Sequence, residues 1–397
     1  MSDIELFRQG DVKIQSRMSI LYSIYKSSHH GISQSGVAAD TGLPAPTVFR
    51  NFTALEKLGL IEPAKDEEIH ERTKGRRPSL YCLKGSAVYT ISAELSFKTL
   101  NIGIYDLLID TVEKVEYDIL NLEADQIADL IAKAAEDLIK NNNIPRDRLA
   151  GIAISSPGII DVKNGIILKC DVIKGMQDYH MKDKIIEKTK LPVLVGSNVD
   201  AYAFYEKTHN YKQHRSLFLV LLRYGVNGSF VNGLEVHADT NLITSDIGHF
   251  VVDPEGPQCT CGEKGCLLAH IFNIEGKYDP DILINLADYL TTDLKKLELL
   301  SDEIVKHLLT ILKNINRWVS PDAFLILAKN SEVASIIKHK IEKKIKDRPP
   351  RYIGDDVKNF YSDAYNQEHG LKGLAELMLH DYMKNPEIAA RVLVGDQ

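Results

Sequence analysis

Along the first 85 positions, apolar residues recur at helical spacing and then give way to short strand-like runs. Met18, Leu21, Ile24 and Tyr25 mark one face of a first helix. Ser33 can accept a free backbone N–H and so start a short second helix through Val37-Ala38-Ala39. Thr41-Gly42-Leu43 makes the turn, because glycine tolerates a backbone conformation that costs other residues more. Pro44 and Pro46 stand where a third helix begins, a place where proline forfeits no hydrogen bond. Val48, Phe49, Phe52, Leu55 and Leu58 are the expected core face of that helix, with Ala45, Thr47, Arg50 and Asn51 on the other side. Gly59-Leu60-Ile61 ends it and opens a strand, and Ser79-Leu80-Tyr81-Cys82-Leu83 returns. Between the strands, Lys74-Gly75-Arg76-Arg77-Pro78 places cations at a hairpin tip, while Asp66-Glu67-Glu68 would repel phosphate.

Three helices followed by a cation-tipped hairpin predict a winged helix-turn-helix over residues 1–85. Small and polar side chains near the start of the third helix can enter a major groove and reach base edges or phosphates. Hairpin arginines suit a narrow minor groove or flanking phosphates. Ala45, Thr47, Arg50, Asn51, Lys74, Arg76 and Arg77 are therefore candidate contacts to double-stranded DNA. A helical dimerisation module with a solvated basic loop is the alternative reading of the same pattern.

Beyond residue 88 the pattern is that of an α/β protein. Tyr89 to Asp106 alternates as a strand pair would, and Ile127, Leu130, Ile131, Ala134 and Leu138 give Asp125 to Lys140 helical periodicity. Ile282 to Asn316 reads as continuous helix. The total of 397 residues is too long for one compact core. With 44% hydrophobic and 26% charged residues, the composition is that of an ordinary globular protein. The net charge of -7 argues against a wholly basic coat but conceals a split, since residues 1–85 carry +2 and the remainder carries −9. No run approaches the ~20 apolar residues of a membrane helix. Leu217 to Leu222 stops at Arg223, and the acidic start MSDIELFRQGD lacks a signal-peptide core. A cytoplasmic location without membrane partners is the default expectation.

Five cysteines are too few, and too odd in number, for a disulfide framework, and three of them fall in Cys259-Thr-Cys261-Gly-Glu-Lys-Gly265-Cys266. With His249 they match the Cys₃His composition of closed structural zinc sites, and Gly262 and Gly265 let the chain turn tightly enough for convergence. Cys82 and Cys170 read as small buried hydrophobes.

This cluster, preceded by Asp246-Ile247-Gly248-His249, resembles the ROK family (repressors, open reading frames and sugar kinases). That family carries Glu-x-Gly-His and then Cys-x-Cys-Gly-x-x-Gly-Cys-x-Glu, with the histidine and three cysteines on zinc. The resemblance covers most of the chain from about residue 88 to 397, including Gly151 to Asp161 with its Pro157-Gly158 turn and Leu191 to Val195 before Asn198 to Glu206. It implies a two-lobed, duplicated α/β body of the actin and hexokinase type. Regulators of the family add a winged helix-turn-helix in front.

The resemblance also marks where this chain departs from the family's kinases. Their first phosphate turn, Asp-x-Gly-Gly-Thr, falls on Glu94-Leu95-Ser96-Phe97-Lys98; their Gly-Thr-Gly-x-Gly falls on Arg223 to Gly228; their adenine-site Gly-Gly falls on Ala328-Lys329-Asn330. Glycines there let backbone amides approach phosphates, and side chains obstruct that approach. The catalytic Asn-Asp pair falls on Ser197-Asn198, and an amide is not a base near neutral pH. Asp200 takes that role only if the register shifts. Sugar-holding positions of the family read Ser197, Asn198, Asp246, His249 and Leu268. Asn198, Asp200, Asp246 and His249 are the candidate ligand-binding residues.

The sequence thus predicts a DNA-binding regulator, a repressor, with structural zinc on His249, Cys259, Cys261 and Cys266 and no use of ATP. It would pair two heads on a palindromic operator as a homodimer or dimer of dimers, with a possible sugar-like effector. An ATP-dependent sugar kinase with an appended DNA-binding head is the alternative. A zinc-stabilised assembly protein whose head binds a partner is a third reading.

Overall fold

A computed structural model describes residues 12–27, 31–64, 79–233, 235–236, 246–346 and 359–384. They fall into two compact units, one drawn from Met1–Pro157, Asn164–Val195 and Leu374–Gln397, the other from Gly158–Lys163 and Gly196–Gly373. Elements are numbered along the chain.

The first unit begins with α1 (Val12–Lys26), β1 (Ile32–Ser33), α2 (Gln34–Thr41), α3 (Ala45–Lys57), β2 (Ile61–Pro63) and β3 (Leu80–Leu83). Strand β3 lies between β1 and β2 and is antiparallel to both, which is the arrangement of a winged helix. Local chemistry sets the boundaries. The Ser33 hydroxyl accepts from the Gly36 N–H at 3.0 Å and caps α2, while Gly42 ends it at φ 69. Pro44 precedes α3 and Pro46 sits in its first turn. Gly59, at φ 68, releases the chain into β2. Met18, Ile24, Val37, Val48, Phe52, Leu55, Leu60 and Ile61 close the small core, with Phe52 edge-on to Tyr81 at 5.1 Å.

Two residues of α3 differ from the sequence expectation. Phe49, assigned to the core face, is 60% exposed, and Asn51, assigned to the outer face, is 9% exposed. The reason is angular: at about 100° per residue, Asn51 falls only about 60° from Val48 on the side of Leu55, whereas Phe49 falls about 100° away. Cys82, expected to be buried, is half-buried, its thiol 3.7 Å from the Glu62 carbonyl.

The rest of the first unit is a five-stranded sheet in the order β11-β7-β4-β5-β6. Its strands are β4 (Tyr89–Leu95), β5 (Thr99–Asp106), β6 (Thr111–Asp118), β7 (Leu149–Ser156) and β11 (Val193–Ser197). Strands β4, β5 and β6 form an antiparallel meander, and β7 runs parallel to β4. Helices α4 (Ala124–Asn141) and α5 (Met181–Thr189) pack together, tied by Lys188 to Asp129 at 2.6 Å. The hairpin of β9 (Ile166–Lys169) and β10 (Gln177–Tyr179) completes this part. The last helix, α11 (Gln367–Lys384), contributes Leu374 onward to this unit. There the Tyr25 hydroxyl of α1 donates to Glu376 Oε1 at 2.6 Å, and the Tyr22 hydroxyl lies 3.4 Å from His380 Nε2. Glu376 and His380 are both buried and Tyr25 is half-buried, so the contact is largely shielded from solvent.

The second unit holds β8 (Ile159–Asp161) and a sheet in the order β14-β13-β12-β15-β16. Its strands are β12 (Ser216–Leu222), β13 (Val226–Asn232), β14 (Glu235–Val236), β15 (Ala323–Ala328) and β16 (Phe360–Ala364). Strands β12 to β14 form a meander, and β15 and β16 run parallel to β12. Each sheet therefore has its earliest strand at the centre, two antiparallel neighbours on one side and two later strands on the other. This repetition is the duplicated α/β architecture the sequence implied. Helices α6 (Asn198–Tyr205), α7 (Leu267–Phe272), α8 (Ile282–Thr292), α9 (Leu294–Trp318) and α10 (Ser331–Lys346) complete the unit. The continuous helix expected over Ile282 to Asn316 is broken at Asp293, whose backbone leaves the helical region at φ -157 and ψ 85. Its carboxylate accepts from the Lys296 N–H at 3.0 Å and restarts the chain as α9.

Candidate functional site

Helix α3 presents Ala45, Pro46, Phe49, Arg50 and Thr53 to solvent, with Thr47 half-buried beside them. No acidic residue lies in its first turn, so its positive N-terminal end is undiminished. Asn51 instead donates from Nδ2 to the Thr47 carbonyl at 3.0 Å, a bond within its own helix. The structure therefore brings Ala45, Thr47 and Arg50 onto one accessible face and turns Asn51 from it. Phe49 joins that face and was missed because an aromatic residue reads as core; its angular position was the available signal. Lys74, Arg76, Arg77 and the acidic run Asp66 to Glu68 lie outside the described residues.

In the second unit, His249, Cys259, Cys261 and Cys266 converge, with one donor atom from each lying within 4.8 Å of all the others. His249 Nδ1 is 3.3 Å from Cys259 Sγ, and Cys261 Sγ is 3.6 Å from Cys266 Sγ. Sulfurs bound to one tetrahedral zinc at about 2.3 Å lie about 3.8 Å apart, so the donor set fits a metal ion. The loop is shaped for this. Val252 N–H donates to the Gly265 carbonyl at 2.8 Å, and Gly265 N–H donates to the Pro257 carbonyl at 2.8 Å. Gly265 sits at φ 70, and a Cβ there would lie 1.5 Å from the Asp253 carbonyl oxygen. Without a cation, burial and then the neighbouring Cys261 and Cys259 thiols push the Cys266 thiol up to about 12. On the far side of the imidazole, His249 Nε2 faces the Asp246 carboxylate at 3.5 Å. A carboxylate behind a metal-bound histidine fixes its tautomer and ring orientation.

The remaining candidate ligand residues differ in availability. Asp200 is buried in α6 and accepts from the Ser229 hydroxyl at 2.6 Å. Burial raises its carboxyl to about 6, although the Ser229 bond acts in the opposite direction. This carboxylate braces α6 against β13. Asn198 is half-buried at the start of α6, and Asp246 is half-buried before the short turn that carries His249.

At the three turns that align with the phosphate and adenine turns of the resembled family's kinases, side chains make local bonds where those kinases carry glycines. In the first unit, Ser96 Oγ accepts from the Lys98 and Thr99 N–H groups at 3.2 and 2.8 Å, closing the β4–β5 turn on itself. In the second unit, the Arg223 guanidinium lies 5.0 Å from the Tyr224 ring and 4.1 Å from the Tyr365 ring. It donates to the Tyr365 hydroxyl at 2.7 Å, so the cation of the β12–β13 turn is engaged by the residue that follows β16. After β15, Asn330 Oδ1 accepts from the Glu332 and Val333 N–H groups at 2.7 and 3.3 Å and starts α10.

The sequence pattern of the ROK family matches residues 97–381. The chain belongs to the ROK family. Its relatives include both regulators and kinases. It is similar to the xylose repressor of Bacillus subtilis, 25% identical over 295 residues, covering 72% of this chain and 75% of the repressor. It is also similar to the glucokinase of Halalkalibacterium halodurans, 35% identical over 140 residues but covering 34% of this chain and 42% of the kinase. Among solved structures, a ROK family transcriptional regulator homologous to E. coli Mlc matches 97% of this chain and 100% of its own, with TM-score 0.76 and 20% identity. That likeness shows the fold, and it extends over the head as well as the ROK body. Among the described residues, no helix is long and apolar enough to cross a membrane.

Proposed function

We propose that this ROK protein is a DNA-binding transcriptional regulator, a repressor, whose body senses a sugar-like molecule and transfers no phosphate. Residues 1–85 are the reading head and 88–397 the body. One observation carries this reading: a winged-helix arrangement with an open α3 face stands before a ROK body in which Ser96, Arg223 and Asn330, each engaged in its own side-chain bonds, stand at the turns where the family's kinases carry glycines. Ala45, Thr47 and Arg50 contact the major groove, with Asn51 orienting Thr47 from within the helix. Lys74, Arg76 and Arg77 hold the flanking phosphates. Two protomers paired by their bodies would place two heads on a palindromic operator.

The ion held by His249, Cys259, Cys261 and Cys266 is zinc, and four protein ligands make it structural. Asn198, Asp246 and His249 are the polar groups offered to an effector. Asp200 supports α6 behind them. For the effector to matter, it must bind one state of the body better than the other.

Footprinting the full chain on genomic DNA, with and without simple pentoses and hexoses, tests both halves of the proposal. Protected palindromic sites that are released by one sugar are expected. ATP-dependent phosphorylation of any hexose by the purified protein would overturn the exclusion of kinase activity, and absence of any protected site would overturn the regulator reading.

A further inference from the structure

Among the described residues of the head, Phe49 is the one large apolar side chain left exposed, 60% accessible in the second turn of α3. Its neighbours on that face are Arg50, Thr53, Pro46 and Ala45, with Thr47 half-buried at the edge. A protein-docking face would need a contiguous apolar patch of a few hundred Å². Phe49 is flanked there only by the small Ala45 and Pro46 and by the polar Arg50 and Thr53, which falls short of such a patch. The first two turns of the helix carry Arg50 and no acid, and the one acid of α3, Glu56, lies two turns further toward its C-terminal end, so the N-terminal part of the face complements a polyanion.

A phenyl ring has no donor or acceptor with which to read a base edge. The floor of the major groove offers one apolar group, the 5-methyl of thymine, and phenylalanine is among the side chains that pack on it. We propose that Phe49 reads a thymine through its 5-methyl group, fixing one A·T base pair in the site bound by each protomer. This rests on the regulator reading and adds to it: Arg50 and Thr47 position α3 and meet polar groups, while Phe49 selects a base by its methyl. The aromatic ring is exposed in the free protein because its partner is the DNA.

The test begins by selecting bound duplexes from a random pool with the full chain. Each thymidine in the selected site is then replaced by deoxyuridine, which removes the methyl and leaves pairing intact. At one position per protomer, the wild type should bind about four-fold more weakly, the worth of one buried methyl group. Phe49→Ala should bind both duplexes equally, Phe49→Leu should retain part of the difference, and Arg50→Ala should bind more weakly while keeping the full difference. Indifference of the wild type to deoxyuridine at every position would overturn the proposal, as would persistence of the penalty in Phe49→Ala. If no sequence is enriched and no duplex binds, the regulator reading itself fails and this inference falls with it.

Discussion

Asp200 shows how a single buried carboxylate can hold structure at a cost that depends on pH. Its folded value of about 6 lies above the ordinary 3.8, so the native state holds a proton that the unfolded chain releases. Its stabilising contribution is therefore present below about pH 4 and is lost as pH rises through about 6. Asp200→Asn keeps an acceptor for Ser229 and has nothing to ionise. The variant should be more stable than the wild type by about 3 kcal/mol at pH 8, with the difference shrinking to roughly half near pH 5. Thermal melts across that range would check this. Gly265 makes a steric prediction instead. With a left-handed backbone and a carbonyl 1.5 Å from the missing Cβ, Gly265→Ala should open the cysteine loop. Metal content by elemental analysis should fall from one ion per chain to near zero, and the melting transition should drop as it does for chelated wild type. Ser33, Gly42 and the cysteine set were legible in the sequence because their chemistry is local. The exchange of Asn51 and Phe49 was not, because side-chain size suggested burial where helix geometry decided otherwise.

Between elements, local signals weaken. The winged-helix order was readable from caps and periodicity and the span of α4 from periodicity alone, whereas the reciprocal capping box of Glu123 and Gln126 that starts α4 was not read. The break between α8 and α9 was hidden because the apolar stripe resumes after Asp293 with little change of phase. The contact of α1 with α11 was beyond sequence reasoning, since Tyr25 and Glu376 are separated by 351 positions. Burial, then the charge of Glu376, keeps the Tyr25 hydroxyl protonated well above its ordinary range, so it remains a donor throughout the physiological range. Tyr25→Phe deprives a buried carboxylate of that donor, which should cost about 1–3 kcal/mol. Hydrogen exchange should show the loss concentrated in α1 and the end of α11, with the second unit unchanged. Uniform loss of protection across the protein would contradict this local role.

At the scale of the whole molecule, the net charge of -7 had suggested little affinity for nucleic acid, yet the sequence divides into a +2 head and a −9 body. On the proposed function, attraction to DNA would depend on a few focused cations rather than on the protein's average field. The double variant Arg76→Ala, Arg77→Ala should lower the slope of log affinity against log salt by about 2, one for each phosphate no longer neutralised. An unchanged slope would favour a head that binds a protein partner. The duplicated strand order was expected from the family resemblance and could not have been drawn from composition, because parallel pairing leaves no local mark. The contact between Tyr25 and Glu376 also has a consequence for biosynthesis. A ribosome adding about 5–20 residues per second delivers the second partner roughly 20–70 s after the first, over the 351 intervening positions. Through that interval a nascent chain carries α1 and α3 before the partner that anchors α1 exists, so among the described helices the last to emerge completes the first.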